Sequence, residues 1–244
     1  MRLNPKLKLC AAAALGLAGF ILRKIEYTTV LNGGVGIVEE GSAVSICLMV
    51  LSAAAIVLAV LFAWDAGQIH LRDFVKCGMG YFGAGLILAG AVLYAVSLGG
   101  SMGKLEYALV LFAVLGAVGV FEMCRTAGTK NVITRVLCIC PAIFGCIWLL
   151  MSYRANSTDP QLIKYAYDCL AQAAITMSFY YISGFYYGRN DTRFGKICAF
   201  LAIFFSMTAL GDCGEIWQYM IYIGYILSIS AFLNFMNECD KKSE

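Results

Sequence analysis

Residues 43–63 read AVSICLMVLSAAAIVLAVLFA and contain no charged side chain. A helix needs about 20 consecutive apolar residues to cross the hydrocarbon core of a bilayer, and this segment meets that requirement along its whole length. Similar apolar segments alternate with short polar joints from one end of the chain to the other. This pattern is typical of a protein that crosses the membrane several times.

The composition of the 244-residue chain supports the same interpretation. Hydrophobic residues make up 61% of the chain and charged residues 14%. An ordinary soluble domain is about 45–50% apolar and about 25% charged, so its core would not absorb the excess found here. The structural units of this chain are therefore membrane-spanning helices and not globular domains.

Eight segments are predicted to span the lipid bilayer, which gives an all-α bundle of four hairpins in one multipass domain, residues 1–240. A short cytoplasmic tail, residues 241–244, is predicted to follow. The predicted spans are residues 7–23, 43–63, 78–99, 105–124, 132–153, 163–187, 194–211 and 214–236. The first span also fits a secretory signal peptide, but the pair Arg23-Lys24 favours a retained helix.

The positions of Lys and Arg predict the orientation of the bundle. Most of the 18 basic residues fall on one side, and short cytoplasmic loops carry the excess of positive charge. Both termini are therefore predicted to be cytoplasmic, in agreement with an even number of spans. Because no organelle or secretory signal is convincing, the bacterial inner membrane is the expected location. The net charge of +3 is mostly this orientation signal and predicts no nucleic-acid partner.

Three of the hairpins share a spacing at their cytoplasmic starts. In each an arginine precedes a cysteine by five positions: Arg72 and Cys77, Arg135 and Cys140, Arg193 and Cys198. Such a recurrence is one sign of an internal repeat, and transporters built from repeats bind their solute between them. The alternative is that Arg marks the interface and Cys is a small apolar residue, both common by composition alone.

Thiols from all four hairpins would meet near the cytoplasmic ends if the hairpins circle one axis. Thiolates select soft ions such as Cu(I) or Zn, although a free Cys is more often a small buried hydrophobic residue. The candidate ligands are Cys10, Cys77, Cys138, Cys140 and Cys198. His70 is the single histidine, which excludes a histidine-based metal site within the chain. No cofactor is predicted.

Small residues recur at the spacing that lets membrane helices approach closely. The positions predicted to lie in helix contacts are Ala14 and Ala18, Gly85 and Ala89, and the group Ala113, Gly116 and Ala117. Pro141 inside the fifth span is predicted to kink the helix and to free a backbone carbonyl group.

The sixth span carries a line of polar residues on one face. Asp168, Gln172 and Thr176 follow one another at steps of four, which places them on the same side of a helix. Ionisable side chains are costly in hydrocarbon and mark functional sites in membrane proteins. This face is therefore predicted to point into the bundle or into a wet cavity.

A second polar face lies at the start of the eighth span, where Glu215, Gln218 and Tyr222 fall on one side. Together with the sixth span it is predicted to line an outward-facing vestibule for a polar or cationic solute. The alternative for both faces is hydrogen bonding between helices and anchoring at the membrane interface. Trp217 in particular is predicted to belong to an interfacial aromatic belt.

Three classes of function fit this sequence. The preferred one is a multipass protein that binds or transports a small solute along the sixth and eighth spans. The second is a non-catalytic subunit or sensor that docks a protein partner, or another copy of itself, through its cytoplasmic loops. The third is a lipid-modifying enzyme that uses Asp168 or the pair Asp212 and Glu215. Catalysis is not expected, because the chain has no Gly-x-Ser-x-Gly elbow and no phosphate-binding loop.

Overall fold

The computed structural model describes residues 5–28, 43–64, 78–99, 103–125, 132–157, 162–189 and 191–242. Within these residues the chain forms eight α-helices. In chain order they are α1 (Pro5–Glu26), α2 (Ala43–Ala63), α3 (Gly78–Ser97), α4 (Lys104–Arg125), α5 (Val132–Asn156), α6 (Leu162–Tyr186), α7 (Thr192–Ala209) and α8 (Ile216–Lys242). The prediction of a helical bundle of membrane type is confirmed. The helix α8 is longer than its predicted span and includes the first residues of the predicted tail.

Six of the described helices are long and apolar enough to cross a membrane, namely α2, α3, α4, α5, α7 and α8. Their surfaces fit a lipid bilayer, as expected of a multipass membrane protein. The other two helices carry polar residues that lower their hydropathy. In α1 charged residues lie at both ends, and in α6 the polar line begins at Asp168.

The helices α3 to α8 form a closed ring. Each packs on the next one along the chain, and α8 packs back on α3. The helices α1 and α2 lie outside the ring, where both pack on α7 and on each other. The most apolar stretches of α7 and α8 are each 67% buried, against 22% in α2. The core of the protein therefore lies around α7 and α8, whereas most of the α2 surface faces outward.

Aromatic side chains fill the interior of the ring. Trp148 and Phe144 of α5 pack on Tyr222 and Tyr225 of α8, with ring centroids 4.8 and 5.9 Å apart. The ring centroid of Phe179 in α6 lies 5.3 Å from that of Tyr225. All five side chains are buried. We call this group of five the aromatic column.

Glycine allows α3 and α8 to approach closely. A side-chain carbon added at Gly83 would lie 2.6 Å from the Gly224 carbonyl oxygen, and one added at Gly224 would lie 2.8 Å from the Gly83 carbonyl oxygen. Both contacts involve backbone atoms, which cannot rotate aside as a side chain can. Small residues thus bring the two backbones together, and this contact closes the ring.

Pro141 and two glycines shape the contact between α4 and α5. The proline has no N–H to bond the Leu137 carbonyl, which its position in the helix would otherwise satisfy. Gly119 of α4 lies directly against that carbonyl. Gly116 lies against the proline, where an added side-chain carbon would be 3.4 Å from the Pro141 Cα. The carbonyl freed by Pro141 is therefore covered by the backbone of α4.

The small residues that form contacts differ from the predicted ones in α1 and α3. Gly85 and Ala14 are both exposed, and an added carbon at Gly85 meets nothing within 4 Å, so the packing of the described helices on one another does not use them. The contacts with α7 use Gly16 and Gly19 instead, and those with α8 use Gly83. Both helices carry small residues on more than one face, so a spacing of four does not select the packed face. The predicted group on α4 is buried: Ala113, Gly116 and Ala117.

Replacing Gly83 with Ala is expected to destabilise the protein by about 1–3 kcal/mol, because the new methyl group overpacks the contact with α8. Gly85→Ala is the matched control. It enters open space and is expected to leave stability unchanged or raise it by up to about 1 kcal/mol, since Ala favours the helix. Thermal unfolding of both variants in one detergent provides the measurement. Equal melting temperatures would contradict the close approach of α3 and α8.

Candidate functional site

A cavity of about 380 Å³ lies at one end of the ring, and we call it the end cavity. Its lining comes from the C-terminal ends of α1, α3, α5 and α7 and from the N-terminal parts of α4, α6 and α8. Odd-numbered and even-numbered helices therefore run in opposite directions there. Ligand sites in proteins have volumes of about 300–1,000 Å³, so the end cavity has the size of a small-molecule site.

Asp168 lines the end cavity from the second turn of α6. Tyr222 of α8 donates a hydrogen bond to Asp168 Oδ1, and Gln172 Nε2 donates to Asp168 Oδ2 at 2.8 Å. The same Gln172 nitrogen also donates to Ser152 Oγ of α5 at 2.9 Å. Asp168 therefore links three helices, and the side chains that bond to it are uncharged.

The rest of the polar face of α6 lies deeper in the ring. Gln172 is fully buried, and its Oε1 has no hydrogen-bond partner among the described residues. Thr176 Oγ1 donates to the Gln172 carbonyl oxygen at 2.7 Å, and Thr176 packs directly on Gly145 of α5. Of the three predicted residues only Asp168 lines the end cavity. The deeper two form a contact between α5 and α6.

The three predicted residues of the eighth span occupy different places. Gln218 lines the end cavity, and Tyr222 belongs to the aromatic column and reaches Asp168 from there. Glu215 is exposed and accepts a hydrogen bond from the indole N–H of Trp217. Trp217, predicted as a belt residue, lines the end cavity instead.

A buried charged group borders the end cavity. Arg23 of α1 is 2% exposed, and its Nε donates to the two carboxylate oxygens of Asp212 at 2.8 and 2.7 Å. Its Nη1 donates to Glu26 Oε2 at 2.6 Å. The Ser45 hydroxyl of α2 donates to Glu26 Oε1, and the Tyr167 ring centroid lies 5.1 Å from the Arg23 Cζ. We call this group the Arg23 cluster.

Sequence reasoning missed the Arg23 cluster. The pair Arg23-Lys24 served only as evidence for a retained first helix, and Asp212 was considered as part of a hypothetical catalytic pair. The signal that pointed to the cluster was Glu26, because an acidic residue three positions after an arginine lies on the same helical face. The pairing with Asp212 had no local signal, since the two residues lie far apart in the chain.

Asp212 lies between α7 and α8 and lines the end cavity. Burial raises the pKa of its carboxyl group from 3.8 to about 6, although the neighbouring Arg23 guanidinium acts in the opposite direction. The charges of Asp168 and Glu26 add to the rise, because like charges disfavour ionisation. Asp212 is therefore ionised at neutral pH and takes up a proton as the pH falls through about 6.

The four predicted cysteine ligands that the structure describes do not form a metal site. Cys138 and Cys140 are buried in α5, Cys10 is exposed on α1, and Cys198 is half-buried on α7. Cys77 lies outside the described residues. In the part of the chain that the structure describes, no group of three or more His, Cys, Asp and Glu side chains is placed to hold a metal ion.

Comparison with known proteins gives no relative for this chain. No protein-family model matches it, and neither does any curated protein or solved structure. The functional interpretation therefore depends on the geometry of the end cavity and its lining.

Replacing Arg23 with Gln is expected to destabilise the protein by about 3–5 kcal/mol, because Asp212 and Glu26 lose the cation that compensates their burial. Lys24→Gln removes the same charge from the adjacent, exposed side chain and is expected to change stability by no more than about 0.5 kcal/mol. The melting temperatures of the two variants in one detergent test this difference. An Arg23→Gln protein as stable as the Lys24→Gln protein would argue against a structural role for the Arg23 cluster.

Proposed function

We propose that this protein binds a small solute in the end cavity and passes it across the membrane. The observation that carries the proposal is a cavity of about 380 Å³ with Asp168 in its lining. Ionisable residues are rare within membrane helices, and they mark the pathways of solutes and ions there. Asp168 is such a residue, and the end cavity gives a solute access to it.

The position of the aromatic column favours a transporter whose binding site opens to one side of the membrane at a time. Trp148 lines the end cavity and also packs on Tyr222 and Phe144 of the column. Phe179 and Tyr225 continue the column. A solute in the end cavity is separated by these rings from the opposite end of the bundle. Passage requires the rings to move, as alternating access demands of a transporter.

We further propose that all eight helices cross the membrane as four hairpins. The polar residues of α1 and α6 support this, because they are paired inside the protein. Arg23 bonds to Asp212 and Glu26, and Asp168 bonds to Tyr222. Their charges therefore add little polar surface for the lipid to cover.

The proposed orientation has both termini in the cytoplasm and the end cavity on the outer side of a bacterial inner membrane. It rests on the excess of Lys and Arg in the joints at the other end of the bundle. Short basic loops are retained in the cytoplasm, so this end is assigned to that side.

Reporter fusions in a bacterial host are expected to reveal this orientation. A green fluorescent protein fused after Arg125 should fluoresce, because it folds in the cytoplasm. An alkaline phosphatase fused after Ser157 should be active, because it folds outside. The reverse pattern, with an inactive phosphatase after Ser157, would overturn the proposed orientation.

Replacing Asp168 with Asn is expected to abolish solute binding while expression and folding are kept, because the change removes the charge and preserves the shape. The measurement is a thermal-shift screen of the protein in lipid nanodiscs against a mixed library of anionic, neutral and cationic solutes. A solute at 100 times its Kd stabilises the folded state by about 2.7 kcal/mol. At least one solute should raise the melting temperature of the wild type and not that of the variant.

Asp191→Asn is the matched control for this screen. It removes an exposed carboxylate at the start of α7, at the end of the bundle opposite the end cavity, and is expected to retain binding. If every stabilising solute acts equally on the wild type and on the Asp168→Asn variant, the assignment of the binding site to Asp168 is wrong. A screen without any Asp168-dependent solute would favour the alternative of a non-catalytic subunit that docks a protein partner.

A further inference from the structure

The charges that line the end cavity are mainly negative. Asp168 and Asp212 both line it, whereas the guanidinium of Arg23 is shared between Asp212 and Glu26. Among the described residues, no Lys or Arg side chain forms an ion pair with Asp168. A solute that reaches Asp168 therefore meets a carboxylate that lacks a cation.

The rim of the end cavity adds both signs of charge. The exposed Glu215 accepts a hydrogen bond from Trp217, which is part of the lining. The exposed Lys24 holds its ammonium group 5.9 Å from the ring centroid of Tyr27, another lining residue. Exposed charges are screened by salt, so the more deeply placed carboxylates determine the field that a bound solute meets.

Aromatic rings form much of the remaining wall. Trp217 of α8 and Tyr94 of α3 have ring centroids 4.4 Å apart, and Trp148 of α5 lies 6.3 Å from Trp217. All three line the end cavity. Aromatic faces attract cations, and Trp does so most strongly. A carboxylate beside such rings combines charge recognition with contact for an apolar body.

Other classes of ligand fit this lining less well. A bare divalent cation such as Ca²⁺ takes six to eight oxygen ligands at about 2.3–2.6 Å, and no suitable cluster exists among the described residues. An anion would face Asp168 and Asp212. A zwitterion would need a cation for its own carboxylate, and Arg23 is committed to two carboxylates and does not line the end cavity.

We propose that the solute of the end cavity is an organic ammonium ion, with its charge beside Asp168 and its apolar body against Trp148 and Trp217. This inference rests on the proposed function, because it names the class of solute for the same site. The geometry around Asp168 supports it, because the side chains that donate to this carboxyl group, Tyr222 and Gln172, are both uncharged.

The test compares three solutes of similar size and different charge: phenethylammonium, 2-phenylethanol and 3-phenylpropionate. Isothermal titration calorimetry measures their binding to the full-length protein in lipid nanodiscs, and empty nanodiscs correct for partition into lipid. Phenethylammonium should bind saturably and at least about tenfold more tightly than 2-phenylethanol, because only the cation interacts with both the carboxylate and the rings. The anion should not bind saturably.

Two variants and one control locate the binding. Asp168→Asn should weaken phenethylammonium binding about tenfold or more and leave the weak binding of 2-phenylethanol unchanged, since only the charge is lost. Trp217→Leu should weaken phenethylammonium binding through the loss of the aromatic wall. Trp64→Leu alters an exposed tryptophan at the end of α2, away from the end cavity, and should change nothing.

Three results would overturn the inference: no saturable binding of phenethylammonium, equal affinity for 2-phenylethanol, or cation binding that survives Asp168→Asn. The mixed-library screen then distinguishes a wrong class of solute from a wrong binding site. A neutral or anionic solute that stabilises the protein only when Asp168 is present leaves the proposed function standing and rejects the ammonium class. A screen without an Asp168-dependent solute rejects the proposed function as well.

Discussion

The pairing of Arg23 with Asp212 and Glu26 is the interaction on which the cavity end of the molecule depends. Burying an unpaired charge is costly, so an arginine that is almost fully buried requires close partners. Its partners come from α1 itself and from the connection between α7 and α8. The pairing therefore fixes the end of a helix outside the ring to the mouth of the ring. Asp212 belongs both to the Arg23 cluster and to the lining of the end cavity.

Asp212 and Asp168 illustrate how two identical side chains acquire different roles in one cavity. The charge of Asp212 is compensated by a guanidinium, and it serves mainly to hold the mouth in shape. Asp168 is held by a phenol and an amide, which orient its carboxyl group and bring no cation to it. Uncharged donors thus keep Asp168 in place at the edge of the aromatic column. The difference lies in the neighbours, since both carboxylates line the same cavity.

The sequence predicted the helices well, because apolar runs bounded by charged residues leave few alternatives. It also predicted that Asp168 and Gln172 lie on an inward face, since steps of four are local information. The partners of these elements could not be predicted, because they depend on contacts between distant parts of the chain. Gly83 and Gly85 are equally small, and only the position of α8 determines which of them is packed. Trp217 likewise has the chemistry of a belt residue, and its place in the end cavity follows from the ring.

The contact that closes the ring joins α3 to α8, the last of the described helices to be synthesised. Until α8 enters the membrane, the Gly83 face of α3 lacks the partner that it has in the complete bundle. Contacts between distant segments form late, because the intervening chain must first be ordered. The order of synthesis therefore leaves the nascent chain with an open arc of helices until α8 is in place. Such an intermediate exposes to lipid the glycine face of α3 that the complete bundle buries.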